Sequence, residues 1–164
     1  MWQAITIKKG RHSRWSLRFQ RKISRHFNVM FTEDSKYNHG NQDQYDWNKL
    51  WGMYSLQPCW PMSHADCGMI GWRWNPEYNR FEVTPYTHSS CGKRMWEDPI
   101  PVKSTMYASI TAADKWYYHI RVDGIDYYFD HPRTKRARLF KQMNGYFGGN
   151  LPAPKDVTYY IQDL

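Results

Sequence analysis

Runs of alternating apolar and polar residues, each only five to ten residues long and each ended by a turn signal, constrain this chain more than any other feature. Phe27, Val29 and Phe31 fall on one face of 26–32, and Phe81 and Val83 share a face beyond the turn Asn75-Pro76-Glu77-Tyr78-Asn79. Period-two alternation is the mark of a strand wet on one side. Asp123-Gly124 sits between two such runs, which is one of the best local signals of a β-hairpin. Further strands are predicted at 2–8, 15–19, 49–55, 69–74, 93–103, 105–111, 116–122, 126–130, 139–146 and 156–162, with a long polar loop at 33–44. No helix and no internal repeat is indicated.

The apolar fraction, 41%, is spent on rings: 9 Trp, 13 Tyr and 7 Phe. Flat rings and β-branched side chains fill a pleated surface, whereas Ala, Leu and Glu fill helices. A chain of 164 residues buries roughly 70% of its unfolded surface as one unit. These readings together predict a single all-β domain over 1–164, a two-sheet antiparallel β-sandwich of jelly-roll type.

The formal charge is +8, carried largely by two segments. Arg11, Arg14, Arg18, Arg21, Lys22 and Arg25 form one, with Lys8 and Lys9; Arg133, Lys135, Arg136 and Arg138 form the other, with Lys141. Such segments suit phosphates, acidic glycans or acidic protein partners, or are the solvated outer faces of strands. Three cysteines, Cys59, Cys67 and Cys91, cannot all pair and show no C-x-x-C spacing, so neither a disulfide framework nor a structural zinc site is signalled. The first residues lack the apolar run of a signal peptide, and no stretch approaches the ~20 apolar residues of a membrane span. A protein that stays in the cytoplasm where it is made, without a membrane partner, is the expectation.

Residues 43–74 hold five of the tryptophans beside carboxylates, an amide and a histidine. Flat rings stack on sugar C–H faces while amides, Arg and His bind hydroxyls, so Trp47, Asn48, Trp51, His64, Trp72, Arg73 and Trp74 are candidate glycan-binding residues. Core filling is the competing reading for each tryptophan. Alternation puts Trp72 and Trp74 on one face and Arg73 on the other. No cofactor is implied, although Asp43 and Asp46, with Asn48, offer oxygen ligands of the kind that hold calcium; capping of turns explains them equally well. Gly148 and Gly149 permit positive φ and close backbone approach, and Pro85 marks a strand edge or a bulge.

Asp43-Gln44-Tyr45-Asp46-x-Asn48-Lys49-Leu50, His64 followed by Gly71-Trp72-Arg73-Trp74, Gly92-Lys93-Arg94, and Tyr146-Phe147-Gly148-Gly149-Asn150-x-x-Ala153-Pro154-x-Asp156 resemble a family of small proteins of gut Bacteroidetes and their bacteriophages. That resemblance implies a jelly roll of the concanavalin or laminin-G type, an architecture used by polysaccharide lyases and carbohydrate-binding modules. The chain departs from the family pattern at Asp66-Cys67. The function expected from this resemblance is a non-catalytic structural or binding module, a bacteriophage decoration, fibre-associated or tail-associated protein. Its partners would be other virion proteins or further copies of itself, with an acidic glycan on its aromatic face. The alternative is a polysaccharide lyase or glycoside hydrolase acting on an acidic glycan, with His64, Tyr86 and Arg73 in catalytic roles. Nucleic-acid binding through the basic segments is a third reading.

Overall fold

The computed structural model describes residues 1–13, 19–20, 24–55, 66–89, 92–114, 117–130 and 140–164. Among them are thirteen strands: β1 Gln3–Ile7, β2 Phe19–Gln20, β3 Ser24–Phe31, β4 Asn48–Ser55, β5 Asp66–Asn75, β6 Arg80–Ser89, β7 Gly92–Met95, β8 Ile100–Val102, β9 Thr105–Asp114, β10 Tyr117–Val122, β11 Ile125–Asp130, β12 Phe140–Tyr146 and β13 Val157–Asp163. Sheet A runs β1-β13-β3-β9-β10-β11. Sheet B runs β2-β12-β4-β5-β6-β7, with β8 beside β6. Every pairing is antiparallel, and the expected two-sheet sandwich is what the chain forms. The polar segment expected as a loop contains two 3-10 turns, Glu33–Ser35 and Gln42–Tyr45, because Asn and Ser side chains close single turns on their own backbone.

The space between the sheets is filled by large rings. Trp72 packs against Phe31 at 5.2 Å and Tyr159 at 5.6 Å, and Phe31 stacks on Phe81 at 4.6 Å. Such contacts add about 0.5–1.5 kcal/mol per pair beyond area burial. Trp51 and Trp72 are 1% and 0% exposed. The register of β4 and β5 shifts between Lys49 and Trp51, so Leu50 and Trp51 are both buried in the core cluster. A bulge of this kind leaves two residues opposite one and breaks strict alternation.

One turn and one strand position follow their sequence signals. Asp123 and Gly124 take φ of 47° and 90°, the left-handed pair that a two-residue hairpin needs. Pro85 pairs with Ile70 on the β5 side. On its other side it lies between the end of the β7 pairing at Tyr86 and the start of the β8 pairing at Val83. Its missing N–H therefore breaks no ladder.

Gly68 is a point of close approach between sheet B and sheet A: a Cβ there would lie 2.6 Å from Tyr118 Cδ1. Tyr118 is 1% exposed and has no room to retreat. Gly68→Ala is expected to destabilise the protein by about 1–3 kcal/mol through overpacking, read as a lowered urea midpoint at unchanged slope.

Candidate functional site

The outer face of sheet B carries the candidate site. Alternation that sends Phe81 and Val83 into the core sends Glu82, Thr84, Tyr86 and His88 outward along β6. Pairing then sets Met69 opposite Tyr86 and Cys67 opposite His88 on one side, with Met95 opposite Tyr86 and Lys93 opposite His88 on the other. Cys67, Met69 and Tyr86 form a small apolar cluster separate from the main core, with Met95 packed on it. Above it lies a pocket of about 230 Å³ lined by Lys49, Met69, Tyr86, His88 and Lys93.

Its electrostatics are those of an anion-binding site, with two lysines in its lining. Lys93 Nζ lies 5.5 Å from the centre of the Tyr86 ring, and the Tyr86 and His88 rings are 6.2 Å apart. Burial, then the charge of Lys93, lowers the pKa of Lys49 from its ordinary value, against the pull of Asp46. The Tyr86 phenol is pushed well above its ordinary value by burial, with Cys67 adding to the effect, so it stays protonated across the neutral range. Lys49 Nζ also lies 5.0 Å from the centre of the Tyr146 ring, whose other contact is a stacked His12 at 5.5 Å. The groups therefore run across the strands from β12 to β7, as a groove for a linear ligand would.

A rigid arm borders this face at the other end of β5. Arg73 donates to Glu82 Oε2 through Nε at 2.8 Å and to the Tyr45 carbonyl through Nη1 at 2.9 Å, and its guanidinium lies 4.3 Å over the Trp47 ring. Arg80 and Asn75 donate to the other oxygen of Glu82, which is 1% exposed. Burial alone would raise the Glu82 carboxyl; the hydrogen bonds from Arg73, Arg80 and Asn75 outweigh it and hold the group below the usual carboxylate range.

Several expected site residues lie elsewhere. Trp51 and Trp72 are core rings, so these two are corrected from glycan platforms to packing, and Trp74, 7% exposed against Phe81, is not among the residues that line this pocket. Asn48, 1% exposed, donates to the Tyr37 hydroxyl at 2.9 Å and accepts from Gly148 N–H at 2.8 Å; it stitches the polar segment and the Gly148-Gly149 turn to β4. Trp47 and Arg73 do border the outer face. Arg25 is not on the surface: its guanidinium lies 4.2 Å over Trp51 and pairs with Asp163 at 2.7 Å. Arg11 is exposed. His64, Arg14, Arg18, Arg21, Lys22, Arg133, Lys135, Arg136 and Arg138 lie outside the described residues. Asp43 accepts from Asn150 at 3.4 Å, and Asp46 lies where a side chain on Gly149 would project. Lys49, His88 and Lys93 were not singled out as site residues from the sequence, although the alternation that places Phe81 and Val83 inward also marks His88 as a neighbour of Tyr86.

No family model matches the chain, and no curated protein matches it in sequence. Among solved structures it is similar to an alginate lyase from a Chlorella virus, 14% identical over 98% of this chain and 81% of the other, with a TM-score of 0.52. It is also similar to an alginate lyase of Pseudomonas aeruginosa, 9% identical over 88% of this chain and 65% of the other, with a TM-score of 0.58. The shared property is the jelly-roll fold. The expectation of a non-catalytic virion module is thereby corrected: both of these similar structures are alginate lyases, and they favour the alternative reading.

Glu82 makes the arm sensitive to acid. A carboxyl whose folded pKa is depressed contributes stability that is present above its unfolded pKa and lost as pH falls through the folded one. Glu82→Ala is expected to cost about 3 kcal/mol by leaving Arg73 and Arg80 uncompensated. Chemical denaturation across acidic pH should show the native protein losing stability below the usual carboxylate range, and Glu82→Gln losing less of it there.

Proposed function

We propose that the protein is a polysaccharide lyase acting on a uronate-containing glycan at the outer face of sheet B. The observation that carries this reading is the meeting of Lys49, Lys93, Tyr86 and His88 in one pocket, with no carboxylate among its described lining residues. The two similar structures, both alginate lyases, support it. A hydrolase would call for paired carboxylates flanking the scissile bond, and the described lining of this pocket holds none.

Elimination from a uronate needs three things: neutralisation of the carboxylate at C6, removal of the C5 proton, and a proton for the departing O4. Exposed Lys93, with His88 opposite it in the ladder, takes the carboxylate. Lys49, its pKa lowered by burial and a like charge, is the general base; enzymes tune lysines toward neutrality by these two means. It removes the C5 proton, the electron pair forms the C4=C5 double bond, and the C4–O4 bond breaks. Tyr86, held protonated, gives its proton to O4. The products are a shortened chain and an unsaturated uronate. Trp47, with Arg73 laid on it, edges the groove where the next sugar ring would lie.

Incubation with alginate and other polyuronates is expected to produce ultraviolet absorbance from the unsaturated end and a falling chain length. Lys49→Met and Tyr86→Phe should each lower kcat by about 10²-fold or more. The base must be neutral to act, so activity rises with pH through the Lys49 pKa. Lys93→Ala removes the repelling charge and should move that rising limb to higher pH. Absence of elimination on every polyuronate, or a pH profile unmoved in Lys93→Ala, counts against the assignment.

A further inference from the structure

A second, larger pocket of about 450 Å³ opens at one end of the sandwich, between the turn Glu33–Ser35, the β5–β6 hairpin and the connection from β8 to β9. Its size falls within the roughly 300–1,000 Å³ of small-molecule sites. Phe31, Trp74, Phe81 and Val102 give it an apolar floor. The rings are contiguous, Phe31 stacking on Phe81 at 4.6 Å and Trp74 meeting Phe81 at 4.8 Å.

The rim is cationic. Lys36, Arg80 and Lys103 line the pocket against a single carboxylate, Glu33. Arg80 is committed to Glu82 at 2.8 Å. Lys36 lies 4.6 Å over the Trp74 ring and pairs with Glu33 at 2.7 Å, but Glu33 is 84% exposed, and an exposed pair of this kind holds its partners weakly. Lys36 is therefore free to exchange Glu33 for a ligand anion, and Lys103 is exposed beside it.

We propose that this pocket binds a small ligand with a flat apolar body and a carboxylate, an aryl carboxylate being the simplest of the class. The body would lie on the Phe31, Trp74 and Phe81 floor, and the carboxylate would meet Lys36 and Lys103. The site does not share a residue with the groove on sheet B and stands independently of the lyase reading.

The test is isothermal titration with 2-naphthoate, 2-naphthalenemethanol and 2-naphthylmethylamine as the anionic, neutral and cationic probes. Naphthoate should bind at least about tenfold more tightly than the alcohol, a difference of about 1.4 kcal/mol, and the amine should bind weakest. Lys103→Glu should weaken naphthoate by a similar factor, and Ser104→Trp, placed at the exposed mouth, should abolish its binding; denaturation midpoints establish that both variants are folded. Lys93→Glu, in the other pocket, should leave naphthoate binding unchanged. The proposal is overturned if no probe binds, if the alcohol matches naphthoate, or if Lys93→Glu abolishes binding while Lys103→Glu does not.

Discussion

The packing of Trp72 against Phe31 and Tyr159 sets the phase of β5, and the rest of the molecule depends on that phase. Because side chains alternate across a strand, the choice of which rings enter the space between the sheets also decides which groups face outward. With Trp72 and Ile70 inside, Gly71 and Arg73 must be outside, and pairing carries the same phase to Lys49 on β4 and to Tyr86 and His88 on β6. The groove is thus a by-product of the core: a one-residue slip of β5 would bring Arg73 into the apolar space and empty the outer face.

This linkage explains what could be read from the chain and what could not. The fold class was legible because alternation and ring-rich composition act locally, and both agree with the two sheets. That Trp72 and Arg73 lie on opposite faces was legible for the same reason, but not that the Trp72 face is the inner one. Trp51 was not, since the bulge beside it turns two successive residues inward, and simple alternation has no symbol for a bulge. Arg25 looked like a surface charge because its stabilising partners, the Trp51 ring and Asp163, are distant in the chain.

The candidate site was harder to see for a related reason. Tyr86 and His88 are neighbours along one strand, but Lys49 comes from β4 and Lys93 from β7, and only the pairing of β4 with β5 and of β6 with β7 brings them together. Lysines carry no motif of their own. What marks Lys49 is its burial and the nearby charge of Lys93, which exist only once the sheet is formed. The tryptophans that drew attention in the sequence are mostly structural, whereas the less conspicuous cations carry the chemistry proposed here.

Pro85 has a consequence beyond the local ladder. By leaving a gap in pairing on one side of β6, it divides the margin of sheet B into β7 of four residues and β8 of three. Neither segment is long enough to template a continuous strand from another molecule, and short, interrupted margins are how sheet proteins stay dispersed in solution. A residue that looks like a flaw in a strand thus guards the wide, ring-rich sheet against fibril-like self-association.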